Sequence, residues 1–346
     1  MKKLISVIVC TAMFIFLFSG CGGSRAKKGV VNVYNWGEYI DTDLLKQFEK
    51  DTGIKVNYKN FESNEQMYSV LKQGGVSYDV IIPSDYMISR LIGEDMLEPL
   101  NFSNIPNYSL IDSNLKNMPY DPENKYSVPY MWGTVGIIYD PDVVGEVDSW
   151  GALFDEKNAG NILMFDNPRD AMGIALKYLG YSLNTTDKSE LDEAFELLKK
   201  QKPILQGYVM DQIFSKLESG EAAIGPYYAG DYLTMHQANP KLKFCIPKEG
   251  SNVFVDAMCI PKGAQNKENA EAFINFMTGT EQSLANSEYI GYTSPNVEVR
   301  SLLDADELSM SVMYPAEKVL SKCESFINLP QETLDYYDSI WIKLKS

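Results

Sequence analysis

Carboxylates and aromatic rings occur together in five short stretches of this chain. Four stretches, NWGEY (35–39), PSDYM (83–87), FDNPRD (165–170) and PYYAGD (226–231), stand at the ends of predicted strands, and VFVD (253–256) lies on a longer one. A carboxylate supplies charge-assisted hydrogen bonds to an ammonium group, and the face of an aromatic ring attracts the same cation. Acids spaced along a slot with aromatic walls would therefore suit a long, flexible polycation.

Each of these stretches also has a purely structural explanation. Trp36 and Tyr39 could be core residues, and Asp85 could cap the helix that it precedes. Asp170 could balance the positive end of the helix that Pro168 opens. The recurrence of the pattern in both halves of the chain favours one shared cleft.

The residue types offer little support for catalysis. His236 is the single histidine, which excludes histidine-rich metal sites and the usual histidine-assisted nucleophiles. No G-x-S-x-G motif, phosphate loop or dinucleotide fingerprint occurs. A carboxylate pair could still serve a glycosidase, although acids are plentiful here in any case. We expect a protein that is not an enzyme and that has no cofactor and no metal.

Predicted strands and helices alternate along almost the whole chain. The strand-like segments 30–35, 54–61 and 78–84 are separated by two amphipathic helical segments. This βαβαβ order predicts a parallel, doubly wound sheet, which binds ligands beyond the carboxyl ends of its strands. Two longer β-like runs, 126–140 and 253–261, predict strands that cross between two lobes and form a hinge.

The length and charge of the chain agree with this interpretation. Its 346 residues suffice for two α/β domains, and 45% hydrophobic residues can supply a sizeable core. The formal net charge of -16 makes nucleic acid a poor partner, because phosphate binding requires a basic surface. A cationic ligand fits the sign of the charge.

The first twenty residues are typical of a signal peptide. Lys2 and Lys3 precede an apolar run, and LFSGC (17–21) resembles a bacterial lipobox. We expect residues 1–20 to be removed, Cys21 to be acylated and residues 21–29 to form an extracytoplasmic tether to the cell membrane, on its periplasmic or outer face. A secreted protein with a chance cysteine is the alternative.

Seven stretches resemble the spermidine/putrescine-binding proteins of bacterial polyamine ABC transporters, from about residue 31 to the C-terminus. They are VYNWGEYI (33–40), FESNEQMYSVLK (61–72), YDVIIPSDYM (78–87), YSVPYMWGTVGI (126–137), KYLGYSLNTTD (177–187), IPKEG (246–250) and YIGYTSPN (289–296). The resemblance implies a two-lobed periplasmic-binding-protein fold, each lobe a mainly parallel doubly wound sheet. It also implies a monomer that delivers a polyamine to an ABC permease. We expect lobe 1 to comprise 30–137 plus 257–305, and lobe 2 to comprise 138–256 plus 306–346.

The same resemblance supplies most of the candidate ligand-binding residues. The full set is Trp36, Glu38, Tyr39, Ser84, Asp85, Tyr86, Asn167, Asp170, Tyr228, Phe254, Asp256, Tyr292 and Glu324. Asn167 replaces a common aspartate, and Tyr228 and Phe254 replace common tryptophans. Asp85 is an additional acid that could replace the lost charge. These departures leave the choice between spermidine and putrescine open.

Three competing functions remain at this point. The adjacent tyrosines of PYY (226–228) resemble the tyrosine pair of ferric-ion receptors. A carboxylate-pair hydrolase would need two acids that face a scissile bond. A purely structural surface lipoprotein would leave the acids at the strand ends unexplained.

Overall fold

A computed structural model describes residues 29–346 apart from residues 38, 76 and 305 and the side chains of residues 307 and 308. The predictions for the signal peptide, for Cys21, for the tether up to residue 28 and for Glu38 lie outside the described residues. Among the helices of the described part, none is both long enough and apolar enough to cross a membrane.

The described chain alternates strands and helices, as the sequence predicts. The strands are β1 (Val30–Trp36), β2 (Lys55–Phe61), β3 (Val80–Ile81), β4 (Ser127–Tyr139), β5 (Ile162–Phe165), β6 (Leu205–Val209), β7 (Ile224–Tyr228), β8 (Lys243–Cys245) and β9 (Val253–Cys259). The α-helices are α1 (Thr42–Thr52), α2 (Asn64–Gln73), α3 (Asp85–Gly93), α4 (Pro141–Val144), α5 (Pro168–Leu179), α6 (Lys188–Gln201), α7 (Gln212–Glu218), α8 (Ala229–Ala238), α9 (Lys267–Thr278), α10 (Thr280–Ile290), α11 (Glu307–Met313), α12 (Glu317–Leu320) and α13 (Gln331–Lys345).

Local capping explains where the first helices begin and end. The Asp41 carboxylate accepts a hydrogen bond from the backbone N–H of Asp43, and Gly53 ends α1 in the left-handed conformation (φ 76°). The sequence predicts that Asn64 caps α2, but Ser63 is the capping residue and accepts from the N–H of Gln66. Asn64 instead becomes the first residue of α2 and is buried.

The strands form one hydrogen-bonded path in the order β2-β1-β3-β9-β4-β7-β5-β6, with β8 paired to β4. The outer pairs are parallel: β1 with β2 and β3, and β5 with β6 and β7. In the centre, β9 runs antiparallel to β3 and β4, and β4 runs antiparallel to β7 and β8. Parallel halves are therefore joined through two antiparallel central strands.

Two hydrophobic clusters lie on either side of this centre. The first contains β1, β3, β9, α9 and the first half of β4, and we call it lobe 1. The second contains the second half of β4 together with β5, β7, α5, α6, α8 and α13, and we call it lobe 2. All thirteen residues of β4 are buried, because the strand passes from one core into the other.

The two clusters divide the central strands between the lobes. Val135 and Ile137 pack in lobe 2, because β4 exchanges β9 for β7 as its neighbour after Thr134. Val253 and Val255 pack in lobe 1, because β9 pairs with the first half of β4. The division therefore lies within β4 near residue 134, and β9 belongs to lobe 1.

Candidate functional site

Asp256 lies on β9, where lobe 1 adjoins lobe 2. Its carboxylate accepts a hydrogen bond from the Ser84 hydroxyl at 2.7 Å and another from the Tyr39 hydroxyl at 2.7 Å. Ser84 ends the segment after β3 and forms an isolated antiparallel bridge with Asp256. Burial raises the pKa of Asp256, while the two hydroxyl donors lower it. Three predicted site residues from distant stretches thus meet at one carboxylate.

Four rings form a continuous row from lobe 1 into lobe 2. The centroid of Tyr39 lies 5.9 Å from that of Tyr292, Tyr292 lies 5.8 Å from Phe254, and Phe254 lies 5.4 Å from Tyr228. Each contact is edge-to-face, with interplanar angles of 81°, 72° and 83°. We call these four residues the aromatic row.

A glycine on the neighbouring strand determines where the Phe254 ring lies. Gly133 of β4 is the cross-strand partner of Phe254. A Cβ atom at Gly133 would lie only 2.6 Å from the ring. The glycine therefore lets the Phe254 ring lie against the backbone of β4 in the middle of the row.

Lobe 2 contributes two further acids from the first turns of helices. Asp170 on α5 is 8% exposed, and burial raises its pKa to about 6 although the Arg169 charge opposes this shift. Asp231 on α8 accepts a hydrogen bond from the Tyr292 hydroxyl at 3.1 Å, and burial raises its pKa to about 6 as well. Burial raises the pKa of Tyr228, and the negative charge of Asp170 raises it further.

Asp85 is the most deeply buried acid of the group. It is 2% exposed at the first position of α3, and one carboxylate oxygen accepts from the Tyr86 N–H at 2.6 Å. The other oxygen is buried and has no hydrogen-bond partner in the described part of the protein. Burial, together with the nearby Asp256 charge, raises the pKa of Asp85 well above its usual range.

The protein itself neutralises these four acids poorly: Asp85, Asp170 and Asp256 are buried, and Asp231 is half-buried. Across residues 29–346, with the gaps noted above, none of the four has a lysine or arginine nitrogen within 4.0 Å. The positive charge of Arg169 lowers the pKa of Asp85 and of Asp170, although burial outweighs this effect. The guanidinium group itself donates to Asn184 at 3.3 Å and lies 4.5 Å from the Phe326 ring centre. Burial thus disfavours the ionised forms of these carboxyl groups, and a bound cation would stabilise those forms.

Two predicted site residues are engaged elsewhere. Asn167 caps α5, and its side-chain oxygen accepts from the N–H groups of Arg169 at 2.9 Å and Asp170 at 3.4 Å. Glu324 accepts from the Lys177 ammonium at 2.8 Å. Asn167 therefore organises the turn that carries Asp170, and the Glu324 charge is already paired.

Trp36 and Tyr86 are held by lobe 1 alone. The indole N–H of Trp36 donates to the Ile82 carbonyl at 2.9 Å. The Tyr86 hydroxyl donates to Glu65 at 2.9 Å and accepts from Asn64 at 3.0 Å. Both side chains are half-buried.

Sequence reasoning missed three contributors to this region. Asp231 and Arg169 both stand inside stretches that the pattern singled out, PYYAGD and FDNPRD, but neither was selected. Tyr130 donates its hydroxyl to the Tyr39 carbonyl at 2.6 Å, and its ring centre lies 5.6 Å from that of Tyr39. PYYAGD ends in Asp231 as FDNPRD ends in Asp170, and this shared position is the signal that could have identified Asp231.

The arrangement does not favour a ferric site at the adjacent tyrosines. Tyr227 is 4% exposed and donates its hydroxyl to Asp211 at 2.9 Å. Burial raises the pKa of both Tyr227 and Tyr228, which disfavours the phenolate form that binds iron. Within the described residues, no group of three or more histidine, cysteine, aspartate or glutamate side chains could hold a metal ion.

The space beside Asp170 is small in this arrangement. A cavity of about 10 Å³ lies against Asp170, Lys177, Asn252 and Phe326. That volume holds about one water molecule. An amine that reaches Asp170 from this side therefore requires the side chains or the lobes to move.

Comparison with known proteins identifies the family. The model of the bacterial extracellular solute-binding protein family matches residues 43–315. The spermidine/putrescine-binding periplasmic protein of Escherichia coli K12 is 36% identical over 317 residues, which is 90% of each chain. A solved spermidine/putrescine ABC transporter substrate-binding protein from Streptococcus pneumoniae is 38% identical, covers 92% of this chain and 98% of its own, and superposes with a TM-score of 0.84.

A solved lipoprotein of Treponema pallidum is 30% identical and superposes with a TM-score of 0.82 over 91% of this chain and 99% of its own. These neighbours confirm the predicted two-lobed α/β fold. The chain therefore belongs to the family of bacterial extracellular solute-binding proteins.

Proposed function

We propose that this protein captures a polyamine, spermidine or putrescine, between its two lobes and delivers it to an ABC permease. The observation that carries the proposal is the set of three buried carboxylates, Asp85, Asp170 and Asp256, without a cation within ion-pair distance in the described residues, beside an aromatic row that runs between the lobes. The relatives named above are described as polyamine-binding proteins.

Electrostatics favours a ligand with several positive charges. A buried ionised carboxylate is costly unless it is paired, and the raised pKa values of Asp170 and Asp256 express this cost. A bound ammonium group would supply the missing charge and the hydrogen bonds. Because the acids lie in both lobes, an extended cation that touches both would stabilise the closed form more than the open form.

The aromatic row suits the apolar part of the same ligand. Methylene groups pack well against ring faces, and a ring face contributes about 2 kcal/mol to a desolvated cation. We propose that Asp256 and Asp170 receive ammonium groups and that Phe254, Tyr228 and Tyr292 form the walls. The proposed role of Glu38 at one terminal ammonium comes from the resemblance alone.

The remaining predictions form part of the same proposal. The protein would be a monomer without catalytic activity, anchored by a lipid on Cys21 to the periplasmic or outer face of the cell membrane. Replacement of Cys21 by serine should release the protein from the membrane fraction of cells. Retention of that variant in the membrane fraction would refute the anchor and leave the ligand proposal untouched.

Calorimetric titration of the mature protein tests the ligand. Spermidine and putrescine should bind with one-to-one stoichiometry, whereas n-butylamine, which has the putrescine carbon chain but one ammonium, should bind far more weakly. Choline, ferric citrate and a sugar panel serve as competitors. Binding of iron with a purple-red colour, or turnover of a sugar, without polyamine binding would refute the proposal.

A further inference from the structure

One hydrogen bond joins the two lobes beside the proposed trench. Tyr292 follows α10 and packs against the lobe 1 core, whereas Asp231 belongs to the first turn of α8 in lobe 2. The Tyr292 hydroxyl donates to the Asp231 carboxylate at 3.1 Å. The pair would separate if the lobes opened.

The backbones meet at the same place. A Cβ atom at Gly230 would lie 2.9 Å from the carbonyl oxygen of Gly291 and 3.7 Å from the Tyr292 ring. The chain thus has its smallest residue where α8 of lobe 2 lies against the C-terminal end of α10 and Tyr292. A larger side chain at residue 230 would hold the lobes apart, whatever the state of Asp231.

Asp231 has features that fit such a contact. Burial raises its pKa, the Tyr292 hydroxyl lowers it, and the nearby Asp211 charge raises it slightly. Within the described residues no cation lies within ion-pair distance of Asp231. Tyr292 in turn contacts the rings of Tyr39 and Phe254, so its position affects the centre of the aromatic row.

We propose that Asp231 is a positioning residue that fixes Tyr292 when the lobes close, so that closure and completion of the aromatic row are one event. Asp231 acts through the Tyr292 hydroxyl and does not itself bind an ammonium group. The effect on ligand release rests on the proposed polyamine function. The effect on lobe closure does not rest on it.

The chain contains a matched control for this contact. Tyr227 donates its hydroxyl to Asp211 at 2.9 Å, and both residues belong to lobe 2. Asp211→Ala removes the same phenol–carboxylate hydrogen bond within one lobe. Its effect on lobe closure should therefore be absent, while its effect on net charge equals that of Asp231→Ala.

Small-angle X-ray scattering of the ligand-free protein tests closure without any ligand. Asp231→Ala and Gly230→Val should both increase the radius of gyration, and Asp211→Ala should leave it unchanged. Asp231→Asn keeps an oxygen acceptor for Tyr292 and should restore most of the wild-type value. A wild-type radius for Asp231→Ala, with circular dichroism showing a folded protein, would overturn the proposal.

Stopped-flow measurement of polyamine release tests the coupling to the row. Asp231→Ala should raise the dissociation rate about tenfold or more, with little change in the association rate. In a Tyr292→Phe background the same replacement should have no further effect. Two results would refute the positioning role, because each would mean that Asp231 contacts the ligand through its charge. One is full additivity of the effects of Asp231→Ala and Tyr292→Phe on the dissociation rate. The other is a dissociation rate for Asp231→Asn as high as that for Asp231→Ala. If the wild-type protein binds no polyamine, the proposed function fails while the scattering result still decides the closure.

Discussion

Replacement of Asp256 by asparagine should weaken polyamine binding severely and leave the ligand-free fold intact. Asparagine has nearly the same shape and retains one oxygen acceptor for Ser84 or Tyr39, which donate at 2.7 Å in the wild-type protein. It lacks the charge that would pair with an ammonium. Loss of one partner from a buried, hydrogen-bonded charge pair costs about 2–5 kcal/mol, which corresponds to roughly 30-fold to several thousand-fold in Kd.

The stability of the ligand-free variant should move in the opposite direction. Burial raises the pKa of Asp256 above 3.8 in the folded protein. Its contribution to stability is therefore fully present below pH 3.8 and is lost as the pH rises through the folded pKa. At neutral pH the ionised side chain carries this cost, and asparagine does not. We expect the melting temperature of the ligand-free variant at pH 7 to equal or exceed that of the wild-type protein.

Calorimetry with spermidine and putrescine, together with thermal unfolding, measures both effects. Asp142→Asn is the matched control, because Asp142 is exposed, pairs with Lys241 at 2.9 Å and changes the net charge by the same amount. The control should keep wild-type affinity. An Asp256→Asn protein whose Kd stays within threefold of the wild-type value would show that this carboxylate does not face the ligand, and would refute the reasoning.

Three other changes test the remaining parts of the trench. Phe254→Ala opens the middle of the aromatic row and should weaken polyamine binding about 30-fold by calorimetry, the equivalent of about 2 kcal/mol; an unchanged Kd would remove the ring from the site. Asn167→Asp keeps the cap of α5, adds a charge next to Asp170 and should favour spermidine over putrescine in competition titrations; equal gains for the two ligands would contradict this. Burial raises the pKa of Asp170 from 3.8 to about 6, so polyamine affinity should fall by up to about tenfold per pH unit below pH 6. The contribution of Asp170 to ligand-free stability should be complete below pH 3.8 and lost as the pH rises through 6; an affinity that stays constant between pH 7 and pH 5 would refute the assignment.

Local sequence patterns sufficed for most of the elements that position the site. The α1 helix carries its buried Leu44 and Phe48 at helical spacing and ends at Gly53, as its sequence predicts. The length of the run at 126–140 predicts a strand that crosses between lobes, and β4 indeed contributes to both cores. Such features depend on residues that are close together in the sequence, so the spacing of hydrophobic residues and the capping residues predict them directly.

Contacts between distant residues could not be predicted in this way. Glu324 was an expected ligand contact, but its partner Lys177 lies 147 residues away, and only the packed lobe brings the two charges together. The pairing of Tyr292 with Asp231 spans 61 residues and depends on how the lobes meet. Neither pairing leaves a periodic signal in the sequence.

The role of Asn167 could have been inferred from local chemistry. An asparagine directly before a proline at the start of a helix is a favourable N-cap, and Asn167 does cap α5. The family resemblance instead predicts a ligand contact at Asn167, because an aspartate is common at this position. The structure shows that its oxygen holds the turn from which Asp170 projects.

A crystal structure of the mature protein with spermidine tests the trench most directly. We expect ammonium nitrogens at about 2.7–2.9 Å from carboxylate oxygens of Asp256 and Asp170, with methylene groups against Phe254 and Tyr228. Spermidine bound outside the interlobe region, or bound there without contact to either carboxylate, would contradict the account.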